Sequence, residues 1–355
     1  MDRRWPSDQD WPVNIMDYVT LRKEVAEAGL LDRQYGYYAF KFVLNFGLVG
    51  LSYFLLATID SFVFQLFNAA FLAFSIVQVG YIMHDAIHMQ IFKGKWKNEF
   101  AGIVTGSLTI NVSTSWADLH LQHHKAPNHS DLDPDVNMPV LAFSEEQALM
   151  KRGLARFLVK RQAFIWFPLL TSVAFIMRFG NTYTLVKKLT GKNWKFHAIE
   201  AVFLLAGSSL YFGFIFTSLS LPQALTFLLV NNVLTGLYMG TSFATNHKAM
   251  PLMKERLDFL RMQVLTARNI KSNLLTDVWY GGLNYQIEHH LFPSMPRNNY
   301  GKASKIIKAF CQEQSVPHYE AGVFRTYKEI LSHFHQIGAV LRSPNSDTER
   351  VTAAN

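Results

Sequence analysis

The apolar positions of this chain gather into long blocks separated by polar, charged stretches. Two tracts, 42–92 and 196–247, contain no Lys or Arg and are rich in Phe, Leu, Val and Ala. A helix needs about 20 apolar residues to cross the hydrocarbon core of a bilayer. Each tract therefore holds two spans and a tight turn. The pattern predicts spans over 42–59, 62–83, 198–219 and 224–244, with turns at Asp60-Ser61 and Leu221-Pro222. Two further apolar stretches, 100–112 and 164–177, are short, and predict helices buried in a cap or lying in the interface. Arg156, Lys160, Arg161 and Trp166 beside the second fit an amphipathic surface helix. Helices are also expected over 15–29, ending at Gly29, and over 253–265 and 301–312. The tail from Arg342 is polar and reads as disordered. No signal peptide and no repeat is legible.

Charge orients these spans. Of the 34 Lys and Arg, six lie in 1–41, fourteen in 93–195 and fourteen in 248–350. Basic loops stay in the cytoplasm, so the spans form two hairpins with every basic segment inside. The fold class expected is an all-α integral membrane protein with a helical cytoplasmic cap. Its divisions are a cytoplasmic segment 1–37, a membrane domain 38–310 and a cytoplasmic segment 311–355 with a disordered tail. A soluble protein with very apolar core helices is the weaker reading. The net charge of +8 does not imply nucleic acid, because topology and contact with anionic lipid headgroups account for the basic residues. The single cysteine, Cys311, excludes an intrachain disulfide and a cysteine-ligated cluster within the chain.

Candidate chemistry lies just beyond the apolar blocks. Eight of the thirteen histidines fall in three clusters and a singleton: His84 and His88; His120, His123 and His124; His289 and His290, preceded by Gln286; and His247. Rings three or four residues apart share one face of a helix. Spans two and four end at His84 and His247, so four segments distant in sequence converge on one membrane face. Imidazole suits iron, zinc and copper, and eight candidate ligands exceed the four of one tetrahedral zinc. Two metals in a shared histidine cage are expected. His129, His197, His318, His333 and His335 read as structural.

The spacings H-x3-H, H-x2-H-H and Q-x2-H-H resemble the membrane fatty-acid desaturase and hydroxylase superfamily over about residues 40–310. Asp131-Leu-Asp-Pro-Asp135 and the segment from Gln286 to Pro293 resemble its acyl desaturase branch, and Gln286 resembles front-end and bacterial members. The resemblance implies two irons, with dioxygen as co-substrate and the eight clustered histidines as ligands. Gln286 stands where other branches have histidine, which puts its direct ligation in doubt. The chain carries no His-Pro-Gly-Gly haem motif. Electrons are thus expected from a separate ferredoxin or cytochrome b5 type donor, and the setting from a multi-pass protein of the bacterial inner membrane.

An unactivated methylene has no acidity for side-chain bases to exploit, so its oxidation is left to a cofactor that the protein holds and orients. Metal-bound histidines need acceptors that fix their tautomers. Asp85, Asp118, Asp131, Asp133, Asp135, Glu288 and Gln286 are candidates, or else solvated loop residues and caps. Trp116, Trp279 and Tyr280 are candidates for the wall of an acyl tunnel, or ordinary interfacial aromatics. The leading expectation is a desaturase that inserts a cis double bond into the acyl chain of a lipid or thioester. A hydroxylase using the same cage is the alternative within the enzymes. A transporter is disfavoured, because the spans hold no Lys, Arg or mid-span His.

Overall fold

A computed structural model describes residues 15–255 and 257–342. The polar tail beyond Arg342 lies outside the described residues. After the short helix α1 (Ile15–Glu27), the first hairpin is α2 (Tyr35–Thr58) and α3 (Phe62–Ile87). Ser61 caps α3 by accepting from the Phe64 amide. The second hairpin is formed later in the chain by α10 (Trp194–Ser218) and α11 (Leu221–Phe243), with a Ser220/Gln223 capping box at its turn. These four are long and apolar enough to cross a membrane. The chain is an all-α integral membrane protein. Each predicted span lies inside one of these helices to within a residue, but the helices run on past it. α2 begins seven residues early, because Tyr35, Tyr37, Phe40 and Lys41 do not break a helix. α3 ends four residues late, α10 begins four early, and α11 begins three early, so the expected turn at Leu221-Pro222 forms its first turn instead.

The central helix is α3, which packs against α2 and α11. Polar side chains inside the bundle fix its register. Asn68 and Ser52 exchange bonds between α2 and α3 at 2.7 and 3.0 Å. Asn231 of α11 donates to the Ala69 carbonyl at 3.0 Å and accepts from Tyr211 of α10 at 2.8 Å. Each such bond is worth on the order of 1 kcal/mol in a membrane, and together they stop the helices sliding past one another.

Between the hairpins, α4 (Lys95–Leu108) packs on α3 and α10, and α5 (Ser113–Lys125) returns toward the C-terminal end of α3. The reversal uses Ile110 at φ 52°. Helices α6 (Glu145–Met150) and α7 (Gly153–Val159) lead to α8 (Gln162–Leu170) and α9 (Val173–Lys188). The apolar stretch 164–177 is thus broken, with a 65° bend between α8 and α9. The bend abuts α11 where Gly236 lets the Thr171 carbonyl approach. Leu154, Phe157, Phe164, Ile176 and Phe179 remain exposed, and α8 with α9 is together long and apolar enough for a broken span or a re-entrant loop.

Beyond the end of the bundle where α3 and α11 finish lies the cap: α12 (Phe259–Leu265), α13 (Leu274–Trp279), α14 (Gln286–Leu291), α15 (Tyr300–Glu313) and α16 (Val323–Ala339). A core of Leu21, Val25, Leu265, Ile287, Ile307 and Phe310 joins α1, α12, α14 and α15. Two-residue strands β1 (Asn269–Ile270) and β2 (Glu320–Ala321) pair in parallel. The helix expected over 253–265 is shorter than anticipated. Met253 spends its backbone on a bridge to the His129 loop, accepting from Ser130 N and donating to Asn128 O. Asp258 then caps α12. Past Glu313, α16 packs on α8.

The closest helix approach makes a prediction. A Cβ at Gly207 of α10 would collide with the Ser107 carbonyl of α4, whereas one at Gly213 would meet nothing within 4 Å. Gly207→Ala is expected to destabilise by about 1–3 kcal/mol, as overpacking does, and Gly213→Ala to be neutral. Thermal unfolding midpoints of the two purified variants would check this.

Candidate metal centre

The sequence folds its clusters onto rigid supports. His84 and His88 stand at the C-terminal end of α3; His120, His123 and His124 on α5; His289 and His290 on α14. His247 follows the 3-10 turn (Ala244–Asn246) that ends α11. All eight converge. His84, His88, His120, His124 and His289 form one group, and His123, His247 and His290 a second.

Within each group the Nε2 atoms face one another. His84–His289 is 3.1 Å, His120–His88 2.8 Å, His124–His120 3.2 Å and His289–His124 3.1 Å. In the second group His123–His247 is 3.3 Å and His247–His290 3.0 Å. A metal about 2.0–2.1 Å from two imidazole nitrogens at right angles sets them about 3 Å apart. The His124 and His290 rings stack at 4.1 Å and join the groups.

The outer ring nitrogens settle the tautomers. Three partners can only accept: Asp133 at 2.9 Å from His123 Nδ1, the Thr266 carbonyl at 3.0 Å from His247 Nδ1, and Gln263 Oε1 at 2.8 Å from His290 Nδ1. Those Nδ1 atoms carry the proton and leave lone pairs on Nε2. Tyr300 lies 3.0 Å from His289 Nδ1, and Asp85 3.4 Å from His84 Nδ1. Asp85 is held by the buried Arg297 at 2.9 Å. Trp116 stacks on His120 at 4.2 Å. Neutral imidazoles with inward lone pairs fit a soft or borderline cation.

Electrostatics agree. Burial, reinforced by neighbouring imidazoles, holds His120, His124, His247, His289 and His290 well below the usual imidazole value. His88 is brought down to about 3 by burial and His123. His123 alone is raised: burial lowers it, but Asp133 and Asp135 more than offset that.

Several candidates have other work. Asp118 is on the surface, 2.7 Å from Lys188, and reaches no clustered histidine among the described contacts. Glu288 points away from the cage. It accepts from Asn269 at 2.7 Å and lies 3.5 Å from His318. Asp131 is exposed, and its amide donates to His129 Nδ1. Asp135 is 3.7 Å from His123. Gln286 lies at the three-histidine group, its Nε2 3.0 Å from His247 Nε2. Its Oε1 accepts from Asn246, whose amide nitrogen is anchored on the Leu283 carbonyl. Sequence reasoning missed Gln263, Thr266, Arg297 and Tyr300. These contacts are long-range and leave no local spacing to read.

A narrow apolar cavity of about 30 Å³ adjoins the five-histidine group. Trp116 and Phe243 line it and lie 5.8 and 6.3 Å from the His84 ring. Ile76, Val77, Gly80 and Met83 continue its wall along one face of α3. Trp279 and Tyr280 are not in its lining. Trp279 packs on Tyr238 at 4.0 Å, and Tyr280 is buried elsewhere.

Residues 60–322 match the family model described as fatty acid desaturase. The chain belongs to the fatty acid desaturase family. A Delta(8)-fatty-acid desaturase of Euglena gracilis is 30% identical over 313 residues, covering 85% of this chain and 74% of the relative. An acyl-lipid (9-3)-desaturase of Physcomitrium patens is 25% identical over 349 residues, covering 95% and 65%. Fatty acid desaturase 3 of Homo sapiens is 29% identical over 333 residues, covering 90% and 72%. The chain is therefore an oxidoreductase of fatty acyl chains, a desaturase rather than a hydroxylase.

The two aspartates test the site's support. Asp133→Ala should weaken metal binding about 10- to 100-fold, as loss of a carboxylate behind a ligating histidine does. Asp118→Ala should leave it unchanged. Metal retention against a graded chelator would read both.

Proposed function

We propose that each histidine group holds one iron: His84, His88, His120, His124 and His289 the first, and His123, His247 and His290 the second. The observation that carries this is the set of inward Nε2 lone pairs about 3 Å apart, in two groups. Bound iron with dioxygen would supply the oxidising power to remove hydrogens from an unactivated methylene. The residues of the chain do the rest. Asp133, Gln263, Tyr300 and the Thr266 carbonyl orient the rings. Trp116 and Phe243 form the mouth of an apolar seat for the acyl chain, and α3 carries that seat away from the cage. From His84 to Ile76 is eight residues, about 12 Å of helix. The substrate is a fatty-acyl lipid or thioester, and the product carries a new cis double bond.

Gln286 is read as a hydrogen-bond donor at the three-histidine site, not a ligand. Asn246 engages its carbonyl oxygen, which leaves the amide N–H toward the cage. A donor so placed orients a polar ligand without binding the metal itself.

The cage is assigned to the cytoplasmic side, since the spans exclude Lys and Arg while the cap segments carry them. The three named relatives are eukaryotic and lend the bacterial placement no support. Electrons are assigned to a separate ferredoxin or cytochrome b5 type carrier, as the 355 residues hold neither a His-Pro-Gly-Gly motif nor a second cysteine.

Expression in a desaturase-deficient host tests the reading. The wild-type chain should add an unsaturated fatty acid to the lipid profile and His289→Ala should not. His247→Ala should lose product and about half of two bound irons, while Gln286→Ala keeps its iron and loses about tenfold in activity. One stoichiometric zinc that iron cannot replace would defeat the proposal. A second test concerns the donor. Purified chain should turn over only with an added carrier, and a basic docking face predicts that turnover falls as salt screens an acidic partner. Turnover with a nicotinamide cofactor and dioxygen alone would refute the separate donor.

A further inference from the structure

On the face of α3 opposite the acyl cavity, the cap leaves apolar surface bare. Leu274 and Leu275 are each 80% exposed and Phe324 is 91% exposed. Val278 and Trp279 of the same short helix are 44% and 43% exposed. The two segments emerge together. Asn269↔Glu320 and Ile270↔Ala321 pair in parallel, so Leu274 and Phe324 follow from the same end of the β1–β2 ladder. Patches of this kind in water mark an interaction surface.

The membrane-spanning helices grip this ridge directly. Gln78 of α3 donates to the Val278 carbonyl at 2.9 Å. Tyr81 and Tyr238 donate to the Trp279 carbonyl at 2.7 and 2.8 Å. The ridge is thus continuous with the lipid-facing bundle, and Lys271, Arg325 and Lys328 stand beside it in sequence, where anionic headgroups and water meet.

Behind the ridge lies a cleft of about 260 Å³, lined by Tyr37, Lys41, Asp277, Tyr285, Arg297 and Asn298 among others. Its charges are distinctive. Arg297 is neutralised by Asp85 at 2.9 Å. The half-buried Lys41 ammonium has the Tyr37 ring at 5.6 Å and feels the Asp85 carboxylate, but makes no direct ion pair or hydrogen bond among the described residues. Asp277 accepts from Ser272 at 2.8 Å and Asn284 at 2.7 Å but forms no direct ion pair with a cation among them. One cation and one anion thus share a cleft at the membrane edge without neutralising each other.

We propose that Leu274, Leu275, Val278, Trp279 and Phe324 insert into the adjoining bilayer leaflet, and that the cleft behind them seats the headgroup of a zwitterionic phospholipid. Lys41 takes the phosphate, and Asp277 with the Tyr285 ring takes the ammonium. The site is separate from the acyl cavity, because Gln78 lies on the face of α3 away from Ile76, Val77 and Gly80. It rests on the membrane spans and not on the reaction.

Two measurements on the full chain decide it. In nanodiscs, a fluorophore on cysteines introduced at 275 or 324 should emit blue-shifted light. Spin-labelled lipids should quench it and iodide should not; a water-like, iodide-quenched signal would overturn the insertion. Native mass spectrometry of delipidated chain should retain phosphatidylcholine about tenfold better than phosphatidylglycerol. Lys41→Met and Asp277→Asn, each checked for an unchanged unfolding midpoint, should each remove that preference. Equal retention of both lipids, or of phosphatidylcholine by wild type and both variants, would overturn the headgroup site. A preference for phosphatidylglycerol would overturn the zwitterionic assignment.

Discussion

Imidazole Nε2 atoms that face one another at about 3 Å repel wherever they present lone pairs, as those of His247 and His290 do. Among the described residues no Lys or Arg is in contact with these atoms, so the arrangement is costly unless a cation is bound between them. The rest of the fold resists that repulsion. Helix α3 fixes the depth of His84 and His88, and α11 that of His247. The acceptors behind the rings prevent them from turning away, which a free imidazole would do. Asp133, itself tied to the amides of Asn128 and Asp135 at 2.7 and 2.9 Å, is the firmest of these stops.

The polar residues within the spans serve the same end. Lipid offers no hydrophobic force between helices, so depth must be set by packing and by side-chain bonds. Asn68, Asn231 and Tyr211 lock α2, α3, α10 and α11 to one another. A slip of one helical turn would move a histidine by about 5.4 Å, well outside the reach of a shared ion.

Much of this was legible in the chain. Spans are written in apolar length and in the absence of Lys and Arg, signals that no tertiary contact overrides. The histidine clusters are local spacings and survive folding unchanged. Legibility ended where a residue's task is set by a partner far along the chain. Gln263 serves His290, 27 residues away, and Arg297 serves Asp85 across more than two hundred. Proximity in sequence misled for Asp118 and Glu288, one drawn to Lys188 and the other to Asn269 and His318. The stretch 253–258 was misread because its apolar pattern is helical, while the His129 loop claims the Met253 backbone.

The order in which the cage is completed along the chain has a consequence for biosynthesis. The first hairpin and α5 carry five of the eight histidines, yet His289, His290, Arg297 and Tyr300 all lie in the last quarter of the chain. As the ribosome delivers the protein, both hairpins are in the bilayer before His84 has its Asp85–Arg297 brace or its facing ring. Any metal held by all eight histidines would therefore meet a complete cage only late in synthesis. A chain that terminates before Gln286 would hold a finished membrane bundle with an open, unbraced half-cage.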